Sequence, residues 1–139
     1  MTSPLGEITL RVYYEDTDAA GIVYNANYLR FIERGRTEFL RELGHDQNLL
    51  MKEGVAFAVR SVQAEYLKPA RLDDLLTVQT SIAELGRAQL VFQQRIRRDE
   101  ELLLDAKIRI ACIDPARGKP IPMPRAIHAQ LATLSKAAQ

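Results

Sequence analysis

The sequence predicts an α+β domain, a mostly antiparallel sheet with one long helix packed on it. Three observations carry that reading. Apolar and polar residues alternate through three successive runs in the second half of the chain. The links between those runs, at Gly86 and at Asp99-Glu100, are short. One extended stretch, from Tyr28 to Leu43, instead repeats its apolar residues every three or four positions. A period of two marks a strand and a period between three and four marks a helix. Short links close hairpins, whereas parallel strands need long crossovers.

The elements follow in order. In residues 7–14, Ile8, Leu10 and Val12 alternate with Thr9, Arg11 and Tyr13, which predicts a first strand. Residues 15–24 break that period with three acids and a glycine and predict a loop. Asn25-Ala26-Asn27 then offers short polar side chains suited to capping a helix. Tyr28, Ile32, Gly35, Phe39 and Leu43 share one helical face, with Arg30, Glu33, Arg34, Arg41 and Glu42 largely elsewhere, and Gly44 is placed to end the helix. Glycine inside a helix costs about 1 kcal/mol relative to alanine unless close packing compensates, so Gly35 reads as a close approach to the sheet. A polar connection follows. Residues 55–67 are rich in strand formers and stop at Lys68-Pro69-Ala70-Arg71, because proline cannot donate into a ladder. Residues 72–74 make the turn onward.

Next come the three alternating runs. Leu76, Val78, Thr80 and Ile82 form the first, Leu90, Phe92 and Ile96 the second, and Leu104, Ala106, Ile108, Ile110 and Cys112 the third. They predict strands in meander order. Residues 114–124, rich in proline and containing Arg117-Gly118-Lys119, predict a loop, and residues 125–138 a short terminal helix.

Composition narrows the function classes. With 139 residues and 47% hydrophobic content the chain suits one domain spanning residues 1–139. A formal net charge of +1 supplies no global field toward nucleic acid or an anionic membrane. Cys112, the single cysteine, cannot form an intramolecular disulfide, and the N-terminus lacks the basic flank and apolar run of a secretory signal. Both features predict a cytoplasmic protein. Charges interrupt every apolar run well before the roughly 20 residues that cross a bilayer. Two histidines, His45 and His128, and one distant cysteine are poor material for a metal site, so no metal is expected.

The chemistry concentrates between the first strand and the helix, in Tyr14-Glu15-Asp16-Thr17-Asp18-Ala19-Ala20-Gly21-Ile22-Val23-Tyr24-Asn25. One reading is a solvated acidic turn whose Asp and Thr side chains satisfy loop backbone. The other takes account of the helix N-terminus that follows. Its unpaired N–H groups and dipole stabilise negative charge developing on a substrate oxygen, and a neighbouring carboxylate can attack a carbonyl or activate water.

The run VYYEDTDAAGIVYNANYLRFIERGRTEFLRELG resembles the signature of the 4-hydroxybenzoyl-CoA thioesterase family of hotdog folds. The likeness is closest to the Tol-Pal-associated acyl-CoA thioesterases of bacteria. It extends through Val55-Ala56-Phe57-Ala58-Val59-Arg60, through residues 65–74, and through Leu90-Val91-Phe92-Gln93-Gln94-Arg95-Ile96. The resemblance implies a five-stranded antiparallel sheet wrapped around one long central helix, with active sites between the subunits of a homodimer that pairs into a homotetramer.

It also implies roles. The second aspartate of the Asp-x-Asp pattern, Asp18, takes the place of the family's nucleophile or general base, and Asp16 is structural. The position whose main-chain N–H polarises the thioester carbonyl is Asn25, where the closest relatives usually carry histidine and others tyrosine. A main-chain donor survives that change, whereas an imidazole that holds substrate or moves protons does not. Tyr24 suits a pocket wall as well as a core, and Tyr28 is assigned to the core. Arg71 becomes a candidate contact for coenzyme A phosphates, and Arg87 matches a basic position that binds the nucleotide end.

The expected activity is hydrolysis of an acyl-CoA thioester to a carboxylic acid and coenzyme A, within lipid metabolism. No cofactor is expected beyond the coenzyme A of the substrate. A hotdog hydratase is disfavoured because neither histidine sits with an acid on the helix. The alternative of another class is a non-catalytic module that binds acyl-CoA or acyl carrier protein.

Overall fold

The computed structural model describes residues 6–137. Five long strands run in the order β1-β3-β4-β5-β2, where β1 is Glu7–Arg11, β2 Ala56–Tyr66, β3 Leu75–Leu85, β4 Gln89–Arg98 and β5 Glu101–Asp114. β1 pairs antiparallel with β3, Ile8 opposite Val78 and Leu10 opposite Leu76. A two-residue strand, β6 (Lys119–Pro120), pairs antiparallel with β5 inside the segment expected to be loop throughout. The helices are α1 (Asn25–Glu42), α2 (Gln47–Lys52) and α3 (Arg125–Ala137).

Three expectations are corrected. The first strand stops at Arg11, and Tyr14–Asp16 forms a turn of 3-10 helix instead. The polar connection after Gly44 contains α2, whose N-cap Asp46 accepts from the Asn48 N–H at 2.7 Å. Asn27 does not cap α1 but lies within it, buried, with its side-chain amide donating to Asp16 Oδ1 at 2.9 Å.

The chain divides into two compact units. The first takes the chain up to Phe39 together with Ala64–Thr80 and Gln94–Ala106. Its core holds Val12, Phe31, Ile32, Leu76, Val78, Ile96, Leu103 and Leu104. Tyr28, Ile32, Gly35 and Phe39 of α1 are all buried. A Cβ on Gly35 would lie 2.9 Å from Thr80 Oγ1, 2.9 Å from Val78 Cγ1 and 3.0 Å from Gln94 Nε2, so helix and strands meet there at backbone range. Gln94, fully buried, is satisfied at both ends. Its Nε2 donates to the Ile32 carbonyl (2.8 Å) and Thr80 Oγ1 (2.9 Å), and its Oε1 accepts from Arg36 Nη1 (3.0 Å).

The second unit comprises Leu40–Gln63, Ser81–Gln93 and the chain from Lys107 onward. Leu90, Ile108, Ile110, Cys112, Ile127 and Leu131 form its core. Gly44, at φ +92°, ends α1 in a Schellman motif: the His45 N–H donates to the Leu40 carbonyl (3.0 Å) and the Gly44 N–H to that of Arg41 (2.9 Å). Gln130 of α3 then joins this terminus, donating to the Leu43 carbonyl (3.0 Å) and meeting His45 Nε2 through its oxygen (2.5 Å).

Candidate active site

Within the first unit, the loop before α1 is a small hairpin. The Tyr24 N–H donates to the Asp16 carbonyl (3.0 Å), Thr17 bridges Val23, and the Asp18 N–H donates to the Ile22 carbonyl (2.9 Å). Gly21 closes the turn at φ +78°, a conformation that favours glycine, with its N–H on the Asp18 carbonyl (3.0 Å). Asp16 fixes the hairpin from below. Its buried carboxylate accepts from the Tyr13 N–H (2.8 Å) and from Asn27 of the helix. A third stretch lies alongside: Ile22 bridges Arg71, and the Val23 N–H donates to the Ala70 carbonyl (2.9 Å). The Ala70 N–H in turn donates to the Tyr28 hydroxyl (2.9 Å), which burial holds above its ordinary pKa and therefore neutral.

This packing gathers Asp18, Tyr24, Asn25 and Arg71 in one unit and leaves all four exposed. Asp18 sits at the turn of the hairpin. Its Oδ1 accepts from the Ala20 N–H at 2.8 Å, as in an Asx turn, while Oδ2 has no partner among the described residues. At the other end of the hairpin α1 begins. The N–H groups of Asn25 and Ala26 find no acceptor among the described residues, whereas that of Asn27 already donates to the Tyr24 carbonyl (2.8 Å). Tyr24, 58% exposed, is not a core residue. Arg71 contributes backbone to the bend and leaves its guanidinium free among the described residues.

Arg87 belongs to the second unit. It lines a pocket of about 390 Å³ with Arg125, His128, Pro122, Met123 and Ala129, so three basic side chains face one cavity. Cys112 is fully buried, and burial pushes its thiol pKa up, away from nucleophilic character. Among the described residues no group of three or more His, Cys, Asp or Glu side chains gathers as a metal-binding cluster, and no helix is long and apolar enough to cross a membrane.

The model of the thioesterase-like superfamily matches residues 12–131, which include the whole hairpin, α1 and all four long strands that follow. The chain belongs to that superfamily. The acyl-CoA thioester hydrolase YbgC of Escherichia coli is 48% identical to this thioesterase-like chain over 131 residues, covering 94% of this chain and 98% of its own. The acyl-CoA thioesterase YbgC of Haemophilus influenzae is 45% identical over 121 residues, covering 86% and 89%. Among solved structures, a probable thioesterase from Bartonella henselae superposes with a TM-score of 0.82 at 43% identity, covering 85% of this chain and 98% of its own. The hotdog fold and α+β class expected from the sequence are those of this thioesterase-like protein.

Sequence reasoning passed over the residues that hold the site's frame. Asp74 Oδ2 accepts from the Arg71 N–H (2.8 Å) and from Arg98 Nη1 (2.6 Å). Arg98 also donates to Glu101 and to the Pro69 carbonyl (3.3 Å). Hydrogen bonds to Glu101 and then Asp74 raise the Arg98 pKa, and Lys68 followed by Arg98 hold the Glu101 carboxyl below its ordinary range. The only signal was the proline bend itself, since no spacing rule pairs an acid with an arginine 24 positions away.

Proposed function

We infer that the chain is an acyl-CoA thioester hydrolase in which Asp18 is the reacting carboxylate and the opening amides of α1 hold the thioester oxygen. One observation carries this reading: the hairpin has a carboxylate oxygen with no partner at one end and two amides with no acceptor at the other. A thioester carbonyl accepting from the Asn25 and Ala26 N–H groups gains negative charge on oxygen as its carbon is attacked, and the helix dipole favours that charge. Asp18 then acts by one of two routes. As nucleophile it forms a mixed anhydride and expels the coenzyme A thiolate, and water cleaves the anhydride. As general base it takes a proton from water that attacks the same carbon. A main-chain donor is indifferent to the asparagine side chain, so Asn25 is compatible with both routes.

Arg71 is assigned to the phosphates of coenzyme A; Arg87 is assigned to its nucleotide end, where the Arg125 and His128 side chains beside Arg87 suit anionic chemistry. Tyr24 is assigned to the acyl pocket wall. The exposure of Asp18 and Tyr24 fits a site completed by a second copy, and β2, at the edge of the sheet, offers the unpaired ladder for it. We accordingly assign a homodimer, pairing into a tetramer, and membership of the 4-hydroxybenzoyl-CoA thioesterase branch. Diluting the protein below its dimer dissociation constant is expected to abolish specific activity. Unchanged specific activity in a proven monomer overturns the shared site.

The deciding variant is Asp18→Asn, which keeps the Ala20 N–H bond and removes the charge. Loss of a general acid–base group costs about 10²–10⁴-fold, so turnover should fall by that range with an unchanged melting curve. A wild-type rate ends the assignment. The Asx-turn bond of Asp18 favours one second reading, a module that binds acyl-CoA without cleaving it. Coenzyme A release, followed with a thiol-reactive dye over short, long and aromatic acyl chains, separates the two.

A further inference from the structure

The bend at residues 69–74 is tied more tightly than a connection between two strands requires. Asp73 adopts φ +70°, outside the comfortable range of a residue with a side chain. Its N–H donates to the Val12 carbonyl (3.0 Å), its carbonyl accepts from Arg11 Nη1 (2.8 Å), and the Val12 N–H donates to the Asp74 carbonyl (2.9 Å). At the centre is the Asp74 carboxylate. One oxygen, Oδ2, takes both the Arg71 N–H and the Arg98 guanidinium. Arg98 is itself held by Glu101, which Lys68 grips from the other side at 2.8 Å. These charge-assisted bonds are stronger than neutral ones and fix direction as well as distance.

The bend is the outer wall of the hairpin that carries Asp18. Ile22 bridges Arg71, the Val23 N–H donates to the Ala70 carbonyl, and the Leu72 N–H reaches the Gly21 carbonyl at 3.4 Å. Each of these contacts meets the hairpin between Gly21 and Val23, directly after the turn that presents Asp18. A shift of the bend therefore moves the strand against which the Asp18 N–H is hydrogen-bonded.

We propose that Asp74, braced by Arg98, is a positioning residue that fixes the height of the Asp18 turn through the bend at residues 69–74. The proposal rests on the reading of Asp18 as the reacting carboxylate. Asp74 touches no reacting atom. It acts by keeping the carboxylate in register, where a misplacement of about 1 Å costs up to about 10²-fold in rate.

The test compares Asp74→Ala, Arg98→Ala and Arg98→Lys with the wild-type protein, using an acyl-CoA substrate, with kcat and KM measured separately and the folded fraction taken from circular dichroism. Asp74→Ala is expected to lower kcat about tenfold while KM stays within about twofold, since register and not affinity is lost. Arg98→Ala is expected to lower kcat about threefold, and Arg98→Lys, which keeps a cation for Asp74 but not the guanidinium fork that also holds Glu101, to restore it in part. If Asp74→Ala does not fold, the two Arg98 variants carry the comparison. The proposal is overturned if kcat per folded protein is unchanged, if only KM rises, or if lysine at position 98 is no better than alanine. Asp18→Asn separates the two levels of inference. Full activity there removes the assignment of Asp18 as the reacting carboxylate, whereas an inactive Asp18→Asn beside a wild-type Asp74→Ala removes only the clamp.

Discussion

Replacing Gly35 by alanine reverses the usual effect of that change. Helix propensity alone favours alanine by about 1 kcal/mol. The new methyl, however, lies 2.9 Å from Thr80 Oγ1, 2.9 Å from Val78 Cγ1 and 3.0 Å from Gln94 Nε2, where ordinary contact between carbon atoms is about 3.5–4.0 Å. All three neighbours must retreat by several tenths of an ångström, and none can do so freely. Thr80 and Gln94 are buried and bonded to each other at 2.9 Å, and Gln94 is bound again by the Ile32 carbonyl and Arg36. Overpacking a core costs about 1–3 kcal/mol, and leaving a buried donor unsatisfied costs about 1–3 kcal/mol more. Less the gain in propensity, the net loss is about 3 kcal/mol. For a chain of this length that corresponds to a melting temperature roughly 10 °C lower. Thermal unfolding followed by far-ultraviolet circular dichroism, at one fixed protein concentration, measures it. A melting temperature equal to or above that of the wild type refutes the close-approach argument.

Two further predictions follow from the charged and thiol groups. Lys68 and Arg98 depress the folded-state pKa of Glu101, so its stabilising effect is complete above the ordinary carboxylate value of about 4.3 and is lost as pH falls through the lower folded value. The melting-temperature gap between wild type and Glu101→Gln should therefore be widest near neutrality and close in acid; a gap constant with pH contradicts the pairing. Cys112 should resist a thiol reagent in the native protein and react promptly in denaturant, and prompt native labelling would contradict its burial. The same inertness keeps the coenzyme A release assay free of signal from the enzyme.

What the sequence disclosed, and what it hid, divides by the range of the interaction. Alternation located β3, β4 and β5 because one face of each is buried, as Leu76 and Val78 in β3, Phe92 and Ile96 in β4, and Leu104 and Ile108 in β5 show. Gly35 was legible because an exception to helix propensity demands a reason, and the strand side chains supply it. The six residues of α2 bury only Leu50, too little for a periodic signal. The pattern could not show that Asn25, Ala26 and Asn27 all lie inside α1, because the partner that holds Asn27 there is Asp16, 11 positions earlier. The Asp18 loop was legible as a motif. Its exposure, and the bonds of Asp18 and Thr17 to loop backbone, agree with the solvated-turn reading of that loop, whereas the clamp formed by Asp74 and Arg98 was hidden, since it depends on what the fold lays alongside.

The chain has five tyrosines and no tryptophan. Four of them, Tyr13, Tyr14, Tyr24 and Tyr66, are between 48% and 83% exposed, only Tyr28 is buried, and all five belong to the unit that carries Asp18. Native tyrosine emission thus originates wholly in that half of the molecule, mostly from rings that a dissolved quencher such as iodide can reach. Shielding of those rings by an acyl-CoA would report occupancy without label or engineered residue, even in a variant that has lost turnover.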